Sequence, residues 1–387
     1  MAKMHKVPIG NRFLSLSYHS FMRPVAVSCT QLMRALYPDM VTLWEQLDFP
    51  SGGFNCWVLK NSAQYMSTID DYNASRTVTQ HELAPFLWQF DFERLYTELA
   101  QADLKDVLAD FVNSVYALHS DKLLIVKDGS AKAKWEGHDY NCKRKKVAFA
   151  PRRAIALIHL IIDHAYVQVG GKAFKQVQGI PMGTNPACFF ADIYLFMSEL
   201  AFFRRLLPLR HANPTAKRVM HAFRWCGRQL DDLQTVSFEP LAFLQQFIYV
   251  DQVVDGVSGI YPSNSIRLVS CNPDDGFRAR FTDVLIYTAL DGAGPLTSDL
   301  YDKRREPNFR DNLAACKYPH ADTLLSQTCK ANVFTGQFIR FTRIVRNPGN
   351  FVCEVANVIL CLTDIGYDRG RLLTQCWRML KDMPFLY

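Results

Sequence analysis

Asp231 and Asp232 stand side by side in the run Phe223-Arg-Trp-Cys-Gly-Arg-Gln-Leu-Asp-Asp-Leu-Gln-Thr-Val236, held between Leu230 and Leu233. Most adjacent acids belong to solvated turns. Asp70-Asp71, which runs into Tyr72, Asn73, Ala74 and Ser75, and Asp274-Asp275, set between Pro273 and Gly276, both read that way. The third pair does not. Two like charges wedged into an apolar, strand-like run are costly unless a cation sits on them. The chain is therefore expected to form two short strands around Arg228–Val236 and to carry the acids where a metal can reach them.

Two further features read ambiguously from the residues alone. Asp91 closes the run Phe86–Phe90, in which Phe86, Trp88 and Phe90 alternate with Leu87 and Gln89, as in a strand entering a core. It is either an ordinary strand-end acid or a ligand. Gln178-Gly-Ile-Pro-Met-Gly183 sets glycines around a proline just before a long apolar helix, Thr184 to Arg205, that starts near Pro186. It is either a strand-to-helix turn or a place where bare backbone comes close to a nucleotide.

In chain order these are an acid at a strand end, a Gln-Gly turn before a helix, and a hairpin with paired acids. That is the arrangement of a right-handed polymerase palm, and the sequence resembles reverse transcriptases in detail. Phe90-Asp-Phe-Glu-Arg-Leu-Tyr-Thr97 resembles their motif A. Gln178-Gly-Ile-Pro-Met-Gly-Thr-Asn185, with Ala191-Asp-Ile-Tyr-Leu195 following, resembles motif B, and Arg228-Gln-Leu-Asp-Asp-Leu233 resembles motif C. Lys3-Met-His-Lys-Val-Pro-Ile-Gly-Asn-Arg-Phe13 is similar to a fingers motif. Leu300-Tyr-Asp-Lys-Arg304 and Gly336-Gln-Phe-Ile-Arg-Phe-Thr-Arg343 are similar to segments beyond motif C in retroelement polymerases near Penelope-like elements and in cellular genes derived from them. Each motif alone is weak; the ordered set is specific and spans nearly the whole chain.

The resemblance implies an α+β, right-hand polymerase: fingers, a ferredoxin-like antiparallel palm sheet and a helical thumb. The expected divisions are 1–85 for the N-terminal fingers segment, 86–290 for a palm with a fingers insertion at about 120–177, and 291–387 for palm completion and thumb. The implied activity is RNA-directed DNA polymerisation, in-line transfer of a nucleotide from a dNTP to a primer 3′-hydroxyl, with an RNA template and a DNA or RNA primer. Two Mg²⁺ ions, for which Mn²⁺ can substitute, would be held by Asp91, Asp231, Asp232 and the backbone carbonyl of Phe92. Tyr96 would stack under the incoming sugar and exclude a 2′-hydroxyl, which speaks against an RNA-dependent RNA polymerase. Gln178 and Gly179 would line the nucleotide pocket, and Lys6 and Arg12 would grip the triphosphate. Lys143, Arg144, Lys145 and Lys146, with Arg152 and Arg153 nearby, form an acid-free basic stretch that reads as a nucleic-acid contact, a nuclear-import signal or a solvated charge run. Lys303 and Arg304 are candidate primer contacts.

One position departs from the pattern. The aromatic usual before the paired acids is Gln229, and Trp225 is the candidate to fill its place. The fingers motif lies at the first residues, so the resemblance also implies a fragment, a decayed copy or a domesticated gene. The alternative function is thus a catalytically weak or inactive retroelement-derived nucleic-acid-binding protein.

Composition narrows the rest. The 387 residues allow two or three structural units, and 49% apolar with 21% charged residues is ordinary for a globular chain. The best apolar run, Ala154–Ile162, is interrupted by His159 and falls short of the roughly 18 residues of a membrane span, so no membrane partner is expected. No apolar segment follows Lys3, Lys6 and Arg12 as in a signal peptide. Eleven cysteines without a Cys-x-x-Cys pair argue against zinc and against a disulfide framework, and for an intracellular location, nucleus or cytoplasm. No His-Glu-x-x-His, Gly-x-Ser-x-Gly or P-loop pattern occurs. Helical periodicity is read in Ser28–Leu47, Leu104–Leu118, from Pro151 to about His164, and in three C-terminal stretches: Ala331–Ile344, Phe351–Thr363 and Arg369–Met383. Gly170-Gly171 is read as a hairpin turn.

Overall fold

The computed structural model describes residues 2–3, 10–11, 22–50, 54–76, 85–93, 95–120, 122–127, 133–138, 146–169, 171–180, 184–271, 276–290, 293–306 and 317–382. The chain forms two compact units, one from Asn11–Val58 with Phe90–Cys271, the other from Ala2–Gly10, Leu59–Gln89 and Asn272–Tyr387. Two-residue strands β1 (Ala2–Lys3) and β2 (Gly10–Asn11) lie at low residue numbers.

In the first unit the helical rhythm of Ser28–Leu47 is divided. Pro24 pre-sets the first turn of α1 (Arg23–Leu36), and Pro38 breaks the run before α2 (Asp39–Glu45). Helix α3 (Ser62–Ser75) belongs to the other unit, and α4 (Leu95–Glu98) is a single turn. Helix α5 (Gln101–Leu118) buries Leu104, Leu108, Phe111 and Val115 on one face and packs against α6 (Pro151–Asp163). Helix α7 (Ala187–Leu209) is apolar nearly all round, which suits a helix enclosed by the core. Its Phe203 sits within an aromatic cluster, with ring centroids 5.1 Å from Trp44, 5.1 Å from Phe49 and 5.4 Å from Trp57. Helices α8 (Pro214–Ala222) and α9 (Leu241–Gln245) follow it in sequence.

A four-stranded sheet organises this unit. Its members are β3 (Phe86–Glu93), whose Phe90–Glu93 end belongs to this unit, β9 (Trp225–Gln229), β10 (Asp232–Ser237) and β13 (Arg267–Ser270), in the order β13-β3-β10-β9. β9 and β10 are antiparallel with Gln229 opposite Asp232, and β13 is antiparallel to β3 with Val269 opposite Asp91. A smaller antiparallel sheet has the order β5-β4-β6, from β4 (Leu123–Lys127), β5 (Ala133–Glu136) and β6 (Lys146–Phe149). β7 (Tyr166–Val169) and β8 (Lys172–Lys175) pair as the ribbon expected around Gly170-Gly171. β11 (Val253–Val254) and β12 (Val257–Ser258) make a minimal hairpin.

The second unit joins α3 to the antiparallel sheet of β14 (Arg278–Phe281), β15 (Val284–Leu290) and β16 (Ala293–Leu300). Asn73 of α3 donates to and accepts from the backbone of Leu296 at 2.8 Å each way. Helices α10 (Gln327–Ile344), α11 (Pro348–Asp364) and α12 (Arg369–Lys381) begin on the capping side chains Ser326, Asn347 and Asp368. They close over Phe334, Phe338, Phe341, Phe351 and Leu362. Asp70-Asp71 is no turn: both acids lie on the exposed face of α3, and Asp70 accepts from Arg346 at 2.5 Å. Asp274-Asp275 lies outside the described residues. Among those described, no helix is long and apolar enough to cross a membrane.

Candidate active site

The paired acids occupy the tip of the β9–β10 hairpin. Leu230 and Asp231 form its two-residue turn, and Asp232 begins β10. Leu230 has φ +54°, the left-handed first position that the right-handed twist of a hairpin favours and that glycine usually fills. A leucine held there costs about 1 kcal/mol. Beside the turn runs β3, and the Phe92 N–H donates to the Asp231 carbonyl at 3.0 Å. That bond brings Asp91, far away in sequence, onto the strand next to the acid pair. All three aspartates are half-buried. Asp91 and Asp232 also act on one thiol: Cys271 is pushed up to about 11, first by burial and then by these two carboxylates.

Beneath the turn lies a dry ionic cluster built on Arg228. Its side chain is fully buried, and its guanidinium donates to Glu199 at 2.5 Å, to an Asp192 carboxylate oxygen, to the Asp192 carbonyl at 3.2 Å and to the Leu230 carbonyl at 3.2 Å. Both acids project from α7. The Tyr261 hydroxyl donates to Glu199 at 2.9 Å, and the Tyr37 hydroxyl donates to Asp192. Burial disfavours the Arg228 charge, but Glu199 and Asp192 outweigh it and hold the guanidinium well above its ordinary value. Burial pushes the Glu199 carboxyl up, against the pull of Arg228. Tyr261 also meets the Phe92 ring edge-on at 5.0 Å. One contiguous network thus links the strand bearing Asp91, helix α7 and the turn bearing Asp231.

Gln178 and Gly179 dock on the segment that follows Asp91. The Gly179 N–H donates to Leu99 at 2.7 Å, the Ile180 N–H to Tyr96 at 2.7 Å, and the Gln178 amide to Glu98 at 3.1 Å. Gly179 has φ +72°, and a Cβ there would strike the Tyr96 carbonyl and lie 2.8 Å from the Thr97 Cα. The glycine is thus required by the protein's own backbone, and that face of its Cα is not open to a ligand. Tyr96 is half-buried and Gln178 exposed.

The donor set consists of hard carboxylate oxygens on adjacent strands, which fits Mg²⁺. Among the described residues no group of three or more His, Cys, Asp or Glu side chains converges closely enough to hold a metal ion alone.

No family model matches the sequence, and no curated protein matches it. Among solved structures, telomerase from Candida albicans, in complex with a TWJ fragment of telomeric RNA, aligns with 94% of this chain at 13% identity and a TM-score of 0.52. The chain folds like that telomerase. It spans about half of the matched protein, 51% of its length. Telomerase from Candida tropicalis, with the same kind of RNA fragment, aligns over 82% of this chain and 42% of its own at 14% identity and a TM-score of 0.45. The likeness is one of fold: mixed α and β with antiparallel sheets.

Other expected site residues are dispersed or undescribed. Lys6, Arg12, Lys143, Arg144 and Lys145 lie outside the described residues; Lys146 is exposed at the start of β6. In the second unit Lys303 is exposed, whereas Arg304 is engaged by Asp302 at 2.8 and 2.9 Å. Burial works against the Asp302 charge, yet Arg304 and Lys317 hold its carboxyl far below the ordinary range. Trp225 does not replace the missing aromatic. It is buried at the opposite end of β9 from Gln229, about 13 Å away along the strand, and stacks against Arg224. The residues missed from sequence are Glu199, Tyr261 and Tyr37. The signal for Glu199 was present, since Asp192 and Glu199 recur two turns apart on one face of an apolar helix.

Proposed function

We propose that this chain is an RNA-directed DNA polymerase that extends a primer 3′-hydroxyl with dNTPs on an RNA template. The observation that carries the reading is the Phe92–Asp231 backbone bond, which sets the motif A aspartate beside the tandem pair. The fold shared with telomerase, a structure solved with an RNA fragment, supports an RNA partner. In this reading the four-stranded sheet is the palm, the N-terminal residues and the 120–177 insertion are fingers, and α10–α12 are the thumb.

Asp91, Asp231 and Asp232, with the Phe92 carbonyl, would hold two Mg²⁺ ions, which when bound would activate the primer oxygen and neutralise the leaving pyrophosphate. The remaining work falls to the protein. Arg228 fixes the turn carrying Asp231 through the Leu230 carbonyl. Gly179 allows the motif B segment to seat against the backbone of Tyr96 and Thr97, and the Tyr96 ring would sort deoxy from ribo sugars. Positioning plus electrostatics is what phosphoryl transfer demands of a protein.

Gln229 favours a second reading, a nucleic-acid-binding protein with weak or no turnover. Its Oε1 is enclosed without a hydrogen-bond partner where the family pattern has a ring. Primer extension with Mg²⁺ separates the two: wild-type protein adds dNTPs and Asp231→Asn does not. Binding of primer–template by wild type without any extension would leave the second reading standing and remove the first.

A further inference from the structure

The β7–β8 ribbon is unlike the other strands of its unit. All four residues of β8 are exposed, as is Tyr166 on β7. Three large apolar side chains stand in solvent within twelve residues: Tyr166 is 49% accessible, Phe174 53% and Val177 78%. Single exposed apolar residues need no explanation, but a group of them marks a contact surface. Because successive strand residues alternate, Lys172 and Phe174 share one face and Tyr166 and Lys175 share the other. Each face thus pairs one aromatic ring with one ammonium group. From Ala165 to Ala191 the chain has no acidic residue. Asp163, just before the ribbon, is bonded to Lys105 at 2.9 Å. The Tyr166 ring has a loose neighbour in His164, 6.4 Å between centroids.

Hydrogen bonds tie the ribbon to the unit at its base. The Gln176 N–H donates to the Ala165 carbonyl at 2.8 Å, and the Gln101 amide donates to the carbonyls of Gln176 and Gly179 at 3.2 Å each. The same Gly179 seats on Tyr96 and Leu99, a few residues past Asp91. The ribbon therefore projects from the segment that borders the candidate active site, within the same unit.

We infer that this ribbon binds an unpaired nucleic-acid strand next to the active site, stacking bases on Phe174 and Tyr166 and pairing phosphates with Lys172 and Lys175. Alternation of rings with positive charge is what a single strand requires, because bases stacked inside a duplex offer no free face. The run of lysines without an acid beside them favours phosphate as the complementary charge. The inference rests on the polymerase reading for the identity of the strand as template, but not for the binding itself.

Fluorescence anisotropy with a labelled RNA of about 15 nucleotides, and with a blunt duplex of the same length, tests it. Phe174→Ala and Tyr166→Ala are each expected to weaken single-strand binding by about 5- to 150-fold, with little change for the duplex. Phe174→Tyr, which keeps a ring, should restore it. Lys172→Ala with Lys175→Ala should flatten the dependence of log affinity on log salt by about 1.4. Unchanged single-strand affinity in Phe174→Ala overturns the inference. So does equal weakening on the duplex, or a changed sedimentation coefficient without loss of RNA binding, which would mark a protein contact. If wild type fails to extend primers while the ribbon variants still lose RNA, the catalytic reading falls and the ribbon stands. If wild type extends primers while the ribbon variants bind RNA unchanged, the ribbon falls and the catalytic reading stands.

Discussion

Arg228 is the side chain whose removal should do the most damage without touching an aspartate of the site. In Arg228→Met the apolar stem remains, but Asp192 and Glu199 are left buried together with no cation. Breaking a buried pair by deleting one partner costs about 3–5 kcal/mol, because the remaining charge has nothing to compensate it. For a unit of this size that amounts to about 6–20 °C in Tm. Glu199→Gln should cost much less, about 1.5–3 kcal/mol for one charge-assisted bond, since Arg228 keeps Asp192. The double variant leaves one unpaired carboxylate instead of two, so it should be less destabilised than the sum of the singles by about 0.5–3 kcal/mol. Urea and thermal denaturation followed by near-ultraviolet circular dichroism would measure all three. The reasoning is refuted if Arg228→Met lies within about 1 kcal/mol of wild type, or if Glu199→Gln is as damaging as Arg228→Met. pH supplies an independent check. Burial raises the Glu199 carboxyl above its unfolded value, so its stabilising contribution is complete below the ordinary carboxylate range and is lost as pH rises through the folded value. The advantage of wild type over Glu199→Gln should therefore shrink from acidic toward neutral pH. An advantage that grows over that range would reverse the sign and sink the assignment.

Other expectations follow from the turn and from the Gln178–Ile180 segment. Leu230→Gly should lie within about 0.5 kcal/mol of wild type, relief of left-handed strain offsetting added chain entropy, whereas Leu230→Val should cost about 1–2 kcal/mol in the same denaturation assay. Gly179→Ala meets both a positive φ and the Tyr96–Thr97 backbone, so it should cost about 2–4 kcal/mol; a neutral effect in urea denaturation would mean the segment does not pack there. In primer extension Tyr96→Ala should raise ribonucleotide incorporation relative to deoxynucleotide, and unchanged sugar selection would remove that role. Chelation of divalent metal should abolish extension while single-strand binding persists.

Much of the site was legible because its parts obey short-range rules. The alternation in Phe86–Phe90 specified β3, the paired acids between Leu230 and Leu233 marked a hairpin, and Gly170-Gly171 pointed to the pairing of β7 with β8. Helices α5, α6 and α10–α12 showed their apolar faces directly. Helix α3 did not. Its buried positions Tyr65, Met66, Ile69 and Tyr72 have helical spacing, but Ser, Thr, Asp and Asn between them favour turns, and only tertiary packing overrides that preference. The sheet of β14–β16 was equally hidden, because β16 carries Gly294 and Pro295 at its start.

Two acid pairs in this chain face the same physical demand. Acids in an apolar frame need a cation, and this holds as firmly for Asp192 and Glu199, two turns apart on an enclosed helix, as for Asp231 and Asp232. The fold answers the two cases differently. The helix pair is enclosed and receives Arg228 from the neighbouring strand, a charge supplied by the fold and out of reach of solvent. The hairpin pair stands at a turn, half-buried, with Asp91 brought alongside by the Phe92–Asp231 backbone bond. Sequence distance conceals this distinction, since whether an acid lies under a sheet or at its tip depends on register. Arg228 belongs to both settings: its guanidinium neutralises the inner acids while its bond to the Leu230 carbonyl holds the outer turn in place. The inner cluster therefore constrains the geometry of the outer one, and loss of stability and loss of site geometry should accompany each other in any variant that removes the guanidinium fork.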